Sequence, residues 1–194
     1  MQEENTLNKI YKEALEDFPI IAAIRDEQAL EECLKTECQN IFILYGNVLT
    51  IGDIVDRITD AGKYAYVHMD MIEGLSSKEV AVEYIKTHTR AAGIISTKSA
   101  LIRKAKELNL FAIQRFFMLD SLAVKNVKKQ MEQTRPDFIE ILPGLMPGVI
   151  ANVKKEIGQH VIAGGLISQK EDILNALNAG ATAISTTHSK LWYM

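Results

Sequence analysis

Short apolar segments alternate along the chain with longer segments whose apolar residues recur at helical spacing. The apolar segments number eight, at residues 20–24, 41–44, 64–69, 93–95, 110–117, 138–142, 161–167 and 183–187. They are largely apolar at successive positions rather than at every second one, which is typical of parallel strands covered on both faces. The segments between them predict helices, and Gly62 and Gly180 stand where two of these helices would end. The chain therefore predicts a series of strand–helix units.

One more helix is predicted before the first strand. Leu7, Ile10 and Ala14 follow a helical spacing that Pro19 ends, so residues 1–18 are expected to form an N-terminal helix. Eight units in 194 residues average about 24 residues each, which is lean for an α/β barrel of about 250 residues. We therefore predict an α/β fold, a compact (β/α)8 TIM-like barrel in which some helices are short or missing. Segments 45–54 and 143–150 are the expected loops.

A doubly wound open sheet is the alternative fold. The number of strands and the matching ends of the last two favour closure into a barrel. No linker, repeat or low-complexity tract divides the chain, so residues 1–194 are expected to form a single domain.

Composition narrows the class of protein. Apolar residues make up 47% of the chain and charged residues 24%, which is ordinary for a globular protein. No apolar stretch approaches the roughly 18 residues of a membrane span, and the polar N-terminus does not resemble a signal peptide. Cys33 and Cys38 match neither a redox pair nor a zinc motif. These features predict a cytoplasmic protein with free thiols and no membrane partner.

Small and polar residues follow the last two predicted strands, where barrels of this kind bind phosphate groups. One segment ends in Gly164 and Gly165, and the other ends in Ser185, Thr186 and Thr187. Glycine lets a ligand approach the backbone closely, and hydroxyl groups add hydrogen-bond donors. We predict a phosphate site here. Further candidate ligand residues at strand ends are Arg25, His68, Asp70, Lys98, Arg115 and Glu140.

Two charged residues lie inside apolar segments rather than after them. Arg115 and Glu140 would point into the barrel or its mouth, where a charge is costly unless it is paired. A mutual ion pair and a direct role in ligand binding are both open. His68 and Asp70 are two residues apart on a strand and, with Glu140, have the ligand types of a metal site. No second histidine is placed to help, so we predict no metal.

Six segments taken together resemble the glycerol-3-phosphate responsive antiterminators of bacterial glycerol-uptake operons (the GlpP family). They are residues 20–25, 67–75, 93–98, 112–117, 139–144 and 162–167. The most specific are His-x-Asp-x-Ile-x-Gly-Leu from His68, Gly-Ile-Ile-Ser-Thr-Lys from Gly93, and the Gln114-Arg115 pair. The resemblance runs from about residue 18 to Trp192. It implies a regulator, not an enzyme, that binds glycerol-3-phosphate as effector without a cofactor. It also implies binding to the leader mRNA of glycerol-catabolic operons, which lets polymerase pass a terminator.

An RNA surface would need clustered lysines and arginines, because the net charge of the chain is −3. Lys125, Lys128 and Lys129 form one such cluster and are the predicted RNA contacts, although from composition alone a solvated helix face is the more ordinary explanation. A homodimer that presents two basic surfaces is possible. Two alternatives remain open. One is a barrel enzyme that acts on a small phosphorylated polyol through His68, Asp70 and Glu140, and the other is a metabolite-binding module that acts through a protein partner.

Overall fold

Eight parallel strands form a closed barrel in the computed structural model, which describes residues 2–158 and 160–194, with side chains described from residue 6 onward except at 121. The strands are β1 (Ile20–Ile24), β2 (Asn40–Ile43), β3 (Tyr64–His68), β4 (Gly93–Ser96), β5 (Phe111–Phe117), β6 (Phe138–Leu142), β7 (His160–Gly164) and β8 (Ala183–Thr186). Each strand pairs with the next, and β8 returns to β1 with Ala22 opposite Thr186. The predicted barrel is confirmed, and the open sheet is wrong.

The helix α1 (Gln2–Asp17) precedes β1, and one helix connects each strand to the next. The connecting helices are α2 (Glu27–Cys33), α3 (Ile51–Asp60), α4 (Val80–His88), α5 (Ser99–Glu107), α6 (Ser121–Thr134), α7 (Pro147–Ile157) and α8 (Lys170–Asn178), and a 3₁₀ helix (Ser189–Tyr193) follows β8. The predicted N-terminal helix is confirmed as α1. None of these described helices is long and apolar enough to cross a membrane.

The short helices are not at the positions that the sequence predicts. The helix α2 has only 7 residues, and a 3₁₀ helix takes the place of a final α-helix. The loops expected at 45–54 and 143–150 are shorter, because α3 begins at Ile51 and α7 begins at Pro147. Proline is compatible with the first turn of a helix, where no N–H donor is needed, so the prolines of 143–150 did not exclude a helix.

Aromatic side chains fill the N-terminal end of the barrel. Alternate residues of each strand point inward, among them Tyr66, Phe111 and Phe138, all of them buried. The helix α1 closes this end, where the Tyr11 ring lies 5.2 Å from Tyr64 and 6.1 Å from Phe111. Leu15 of the same helix is fully buried. The N-terminal end therefore has no room for a ligand, and any internal site lies at the C-terminal end.

Candidate ligand-binding site

A cavity of about 400 Å³ opens at the C-terminal end of the barrel. Its volume lies in the range of small-molecule sites, roughly 300–1,000 Å³. Seven residues predicted from the sequence line it: Arg25, Arg115, Glu140, Gly165, Ser185, Thr186 and Thr187. They follow or belong to strands from both the start and the end of the chain, because β8 pairs with β1. The barrel topology thus brings together side chains that are up to 162 residues apart, Arg25 and Thr187.

A buried ion pair forms one wall of the cavity. Arg115 and Glu140 are directly opposite on β5 and β6, and Arg115 Nε donates to Glu140 Oε2 over 2.6 Å. Ser185 Oγ donates to the second carboxylate oxygen, also over 2.6 Å. Glu140 is fully buried, so the pair satisfies a charge that would otherwise be costly. The predicted mutual pairing is confirmed, and both residues also line the cavity.

Gly164 makes space for this network. A Cβ atom at Gly164 would collide with the Ser185 hydroxyl and lie 2.5 Å from Glu140 Oε1. The position therefore excludes every side chain for a reason of internal packing. Gly164 does not itself line the cavity, in contrast to Gly165 next to it.

The loop after β7 has an unusual backbone. Gly165 and Leu166 have φ values of +75° and +63° in succession, and Leu166 exposes 72% of its surface beside the cavity. A positive φ is routine for glycine and uncommon for leucine. Within the described part of the chain, no acceptor takes the N–H of Leu166 or Ile167. Successive free N–H groups in such turns form anion-binding concavities.

The two threonines after β8 play different parts. Thr186 is buried, donates from Oγ1 to the Ile167 carbonyl over 2.9 Å and accepts from the His188 N–H over 3.1 Å. It therefore ties the loop after β8 to the loop after β7. Thr187 is exposed, and its hydroxyl has no partner among the residues described, so it is available to a ligand.

The cavity carries excess positive charge. Glu140 is neutralised by Arg115, whereas Arg25 has no carboxylate within 4 Å in the described ranges 2–158 and 160–194. His188 also lines the cavity. Sequence reasoning missed His188, although it follows Thr187 directly. It also missed Leu44 and Leu142, which line the cavity. Each is two residues after an inward-facing residue, Phe42 or Glu140, and that spacing was the available signal.

Asp70 and Lys98 do not reach the cavity. Asp70 accepts hydrogen bonds from the Thr97 N–H at 2.7 Å and from the hydroxyls of Thr97 and Ser96 at 3.0 and 3.1 Å. Burial raises the pKa of Asp70, but these hydrogen bonds offset that effect and hold it below its usual value. Lys98 Nζ lies 3.4 Å from Asp70 Oδ1 and beside the Ser77 hydroxyl. Both residues thus belong to the junction of β3 and β4.

His68 was also predicted to bind the ligand, but it is not among the residues that line the cavity. It is 2% exposed at the end of β3, and neither ring nitrogen has a hydrogen-bond partner among the described residues. Burial, followed by the charge of Arg115, lowers the pKa of His68 to about 4. Asp70 is held by Ser96 and Thr97, and the cluster of His68, Asp70 and Glu140 considered as a metal site is not assembled. No group of three His, Cys, Asp or Glu side chains in the described chain has a metal-binding arrangement.

The basic cluster Lys125, Lys128 and Lys129 is exposed on α6, in the outer layer of the barrel. None of the three is paired with a carboxylate of the residues described. Their charge is therefore available to a partner outside the barrel. Cys33 and Cys38 are buried free thiols, as predicted.

The comparisons with known proteins agree with one another. Residues 20–192 match the model of the family described as glycerol-3-phosphate responsive antiterminator. The Escherichia coli protein YgcP, which is uncharacterised, is 47% identical over 178 residues that cover 92% of this chain and 93% of YgcP.

Two crystal structures are similar over most of the chain. The glycerol uptake operon antiterminator regulatory protein of Listeria monocytogenes is 32% identical with a TM-score of 0.86, over 89% of this chain and 94% of that one. A glycerol uptake operon antiterminator-related protein of Thermotoga maritima is 35% identical with a TM-score of 0.81, over 90% of this chain and 98% of that one. Aldolases at 14–16% identity share the fold alone.

Proposed function

The chain belongs to the glycerol-3-phosphate responsive antiterminator family, and from that premise we propose that it binds glycerol-3-phosphate in the C-terminal cavity. In this liganded state it binds the leader mRNA of a glycerol-catabolic operon and prevents premature termination of transcription. Glycerol-3-phosphate acts as effector, and neither a cofactor nor a metal takes part.

The observation that carries the ligand is the excess positive charge of a cavity whose rim offers free donors. Arg25 has no carboxylate partner among the described residues, and the Thr187 hydroxyl and the N–H groups of Leu166 and Ile167 lie in the loops after β7 and β8. Phosphate groups bind at these two loops in barrels of this architecture. Charge-assisted hydrogen bonds from a guanidinium to a phosphate are about twice as strong as neutral ones. The phosphate of the effector therefore binds at this side of the cavity.

Regulation rather than catalysis follows from what the cavity offers. An enzyme acting on a phosphorylated polyol needs an acid and a base that converge on the reacting atoms. Glu140 is held by Arg115 and Ser185, and Asp70 is held by Ser96 and Thr97. Both carboxylates that the enzyme alternative requires are therefore engaged elsewhere. The effector binds and leaves unchanged.

RNA binds through the exposed lysines of α6 in this proposal. A protein of net charge −3 holds RNA only through a local cluster of positive charge, and Lys125, Lys128 and Lys129 supply one. The ligand prefers the RNA-competent state, and a tenfold gain in RNA affinity needs only about 1.4 kcal/mol of coupling.

Two copies of the chain associate through apolar residues around the mouth of the cavity. Phe117 is the last residue of β5, and Leu119, Leu145 and Leu166 follow β5, β6 and β7. These four residues expose 41–85% of their surfaces. Exposed apolar residues concentrated at one site mark interaction surfaces. A dimer formed there would present two copies of the lysine cluster to one RNA.

The test begins with thermal unfolding of the protein in the presence of glycerol-3-phosphate, with glycerol as the control. A ligand at 100 times its dissociation constant adds about 2.7 kcal/mol to the stability of the native state. We expect glycerol-3-phosphate to raise the melting temperature and glycerol to leave it unchanged. An unchanged melting temperature with both would contradict the proposed ligand.

A gel shift of the operon's leader RNA, with and without glycerol-3-phosphate, then tests the switch. Charge reversal of Lys125, Lys128 and Lys129 to Glu should abolish the shift and leave ligand binding intact. The control reverses Lys35, Lys86 and Lys170, which are exposed on other parts of the surface and change the net charge equally. Equal RNA binding without the ligand, or equal loss in both variants, would overturn the RNA proposal. Sedimentation of the same samples reports whether one or two copies bind.

A further inference from the structure

His68 is a polar group whose hydrogen-bonding capacity the described protein leaves unused. Its side chain is 2% exposed, and both Nδ1 and Nε2 lack partners in the part of the chain that the structure describes. A buried polar group without a partner lowers stability, and native proteins rarely keep one without a reason. An imidazole carries one donor and one acceptor when neutral. Two complementary positions on a ligand would satisfy it.

The barrel register places His68 beside the cavity. Ile24, Ile43 and Val67 are aligned across β1, β2 and β3, so the next residues along, Arg25, Leu44 and His68, are at one level. Inward-facing residues alternate along β3, where Tyr66 belongs to the inner core, so His68 points inward as well. Arg25 and Leu44 line the cavity. His68 itself is not among the lining residues, and it is placed behind this part of the wall at the level of Arg25 and Leu44.

The ion pair is within electrostatic range of His68. The charges of Arg115, Glu140 and Asp70 act on its imidazole, and the first two of these residues line the cavity. His68 is thus level with the cavity-lining residues Arg25 and Leu44 of β1 and β2 and near the cavity-lining ion pair of β5 and β6. The loops after β7 and β8 are across the mouth. A ligand whose phosphate binds at those loops directs its other end toward His68 and the ion pair.

We propose that His68 hydrogen-bonds a hydroxyl group at the non-phosphate end of the ligand and selects a polyol phosphate over phosphate esters that lack hydroxyl groups. This inference rests on the proposed function and adds the residue that reads the polyol. A hydroxyl group can donate to the unprotonated ring nitrogen of a neutral imidazole or accept from its N–H, so it can satisfy either of the two nitrogens. A ligand without hydroxyls leaves the imidazole as unpartnered as it is in the free protein. Sites built to bind a hydroxyl reject analogues without it for this reason.

The test compares two ligands on one preparation of protein. Calorimetric titration measures the dissociation constants of glycerol-3-phosphate and of propyl phosphate, which has the same ester group and no hydroxyls. We expect the unmodified protein to prefer glycerol-3-phosphate by about tenfold or more, which corresponds to about 1.4 kcal/mol. His68→Leu should lose most of this preference while its affinity for propyl phosphate stays within about twofold.

Two further variants separate selectivity from structure. His68→Gln keeps a donor and an acceptor and should retain part of the preference. His160→Leu is the matched control, because His160 is also on an inner strand but stacks on Phe138 at 4.8 Å and lies 3.4 Å from Glu16. It should leave the preference unchanged. The ratio of the two dissociation constants does not depend on the fraction of folded protein. The preference can therefore be measured even for a variant that folds poorly.

The ligand-free melting temperature gives a second readout. His68→Leu removes an unpartnered polar group, so its melting temperature should equal or exceed that of the unmodified protein, whereas a purely structural histidine would lower it. An unchanged preference in His68→Leu, or a parallel loss of both ligands, overturns the inference. Equal binding of both ligands by the unmodified protein also overturns it. Binding of neither ligand overturns the proposed function, and the inference with it.

Discussion

The two ends of the barrel interior are built from the same strands and serve opposite purposes. At the N-terminal end, aromatic rings stack between strands under α1, and the Phe111 and Phe138 ring centroids are 5.6 Å apart. At the C-terminal end, the same two strands contribute Arg115 and Glu140 beside a cavity of about 400 Å³. Filling one end supplies burial that stabilises the fold. The other end can then hold charged and unpartnered groups that a ligand needs.

The two inward-lying histidines make the difference concrete. His160 is at the start of β7, stacks on Phe138 and lies near the Glu16 carboxylate. His68 is at the end of β3, and its ring nitrogens have no partners among the described residues. Burial lowers the pKa of both imidazoles. The end of the barrel at which a histidine lies thus decides whether its polar atoms are used for structure or remain available.

The largest effect is expected from breaking the ion pair at the open end. Arg115→Met leaves the fully buried Glu140 carboxylate with Ser185 alone, and removal of one partner of a buried pair costs roughly 3–5 kcal/mol. Glu140→Gln leaves Arg115 without its anion. The double variant should lose less stability than the sum of the two single variants, measured by urea unfolding. Additive losses would mean that the 2.6 Å contact contributes no coupling.

The sequence predicted the strands of the barrel better than it predicted the side chains at the C-terminal end. The apolar segments predicted the strands, and parity along β5 and β6 predicted that Arg115 and Glu140 would meet. Alternation also assumed that His68 and Asp70 belong to the same strand, and that assumption was wrong. β3 ends at His68, and the chain turns at once, with the Met71 N–H donating to the His68 carbonyl over 3.0 Å. Residue 70 is therefore outside the strand.

Properties that depend on side-chain packing were also out of reach. Nothing in the sequence indicates that Asp70 would be bound by Ser96 and Thr97, or that His68 would be left without a partner. The length of the chain implied short helices but not their positions. Pro147 indicated a loop, but it is the first residue of α7. No feature of the sequence indicates that α2 has only 7 residues.

A smaller effect is expected from titrating the open-end histidine. The pKa of His68 is about 4 in the folded protein, against a usual value of 6.5. Below pH 6.5 the unfolded chain binds a proton that the folded protein does not, so stability is lost as the pH falls from about 6.5 to about 4. Over that window the loss is on the order of 3 kcal/mol.

The measurement is urea unfolding of the ligand-free protein between pH 7 and pH 4, compared with His68→Leu. Subtracting the two curves removes the contributions of groups that behave alike in both proteins, and the charged groups that act on this imidazole are Arg115, Glu140 and Asp70. We expect the variant to lose the slope and His160→Leu to keep most of it. Identical slopes in the unmodified protein and His68→Leu would mean that the imidazole is solvated.

The smallest effect on stability, and the sharpest contrast between regions, is expected from two glycines with the same backbone. Gly62 and Gly165 both have φ of +75°, so an alanine at either position costs roughly 1–2 kcal/mol from the left-handed conformation alone. A Cβ atom at Gly62 meets nothing within 4 Å, whereas one at Gly165 lies 3.1 Å from Leu142 Cδ2, which lines the cavity. Leu142 must therefore move when Gly165 becomes alanine. Urea unfolding should report similar losses for Gly62→Ala and Gly165→Ala, while calorimetric titration should report weaker glycerol-3-phosphate binding for Gly165→Ala alone. Equal affinities in the two variants would place the effector away from the loop after β7.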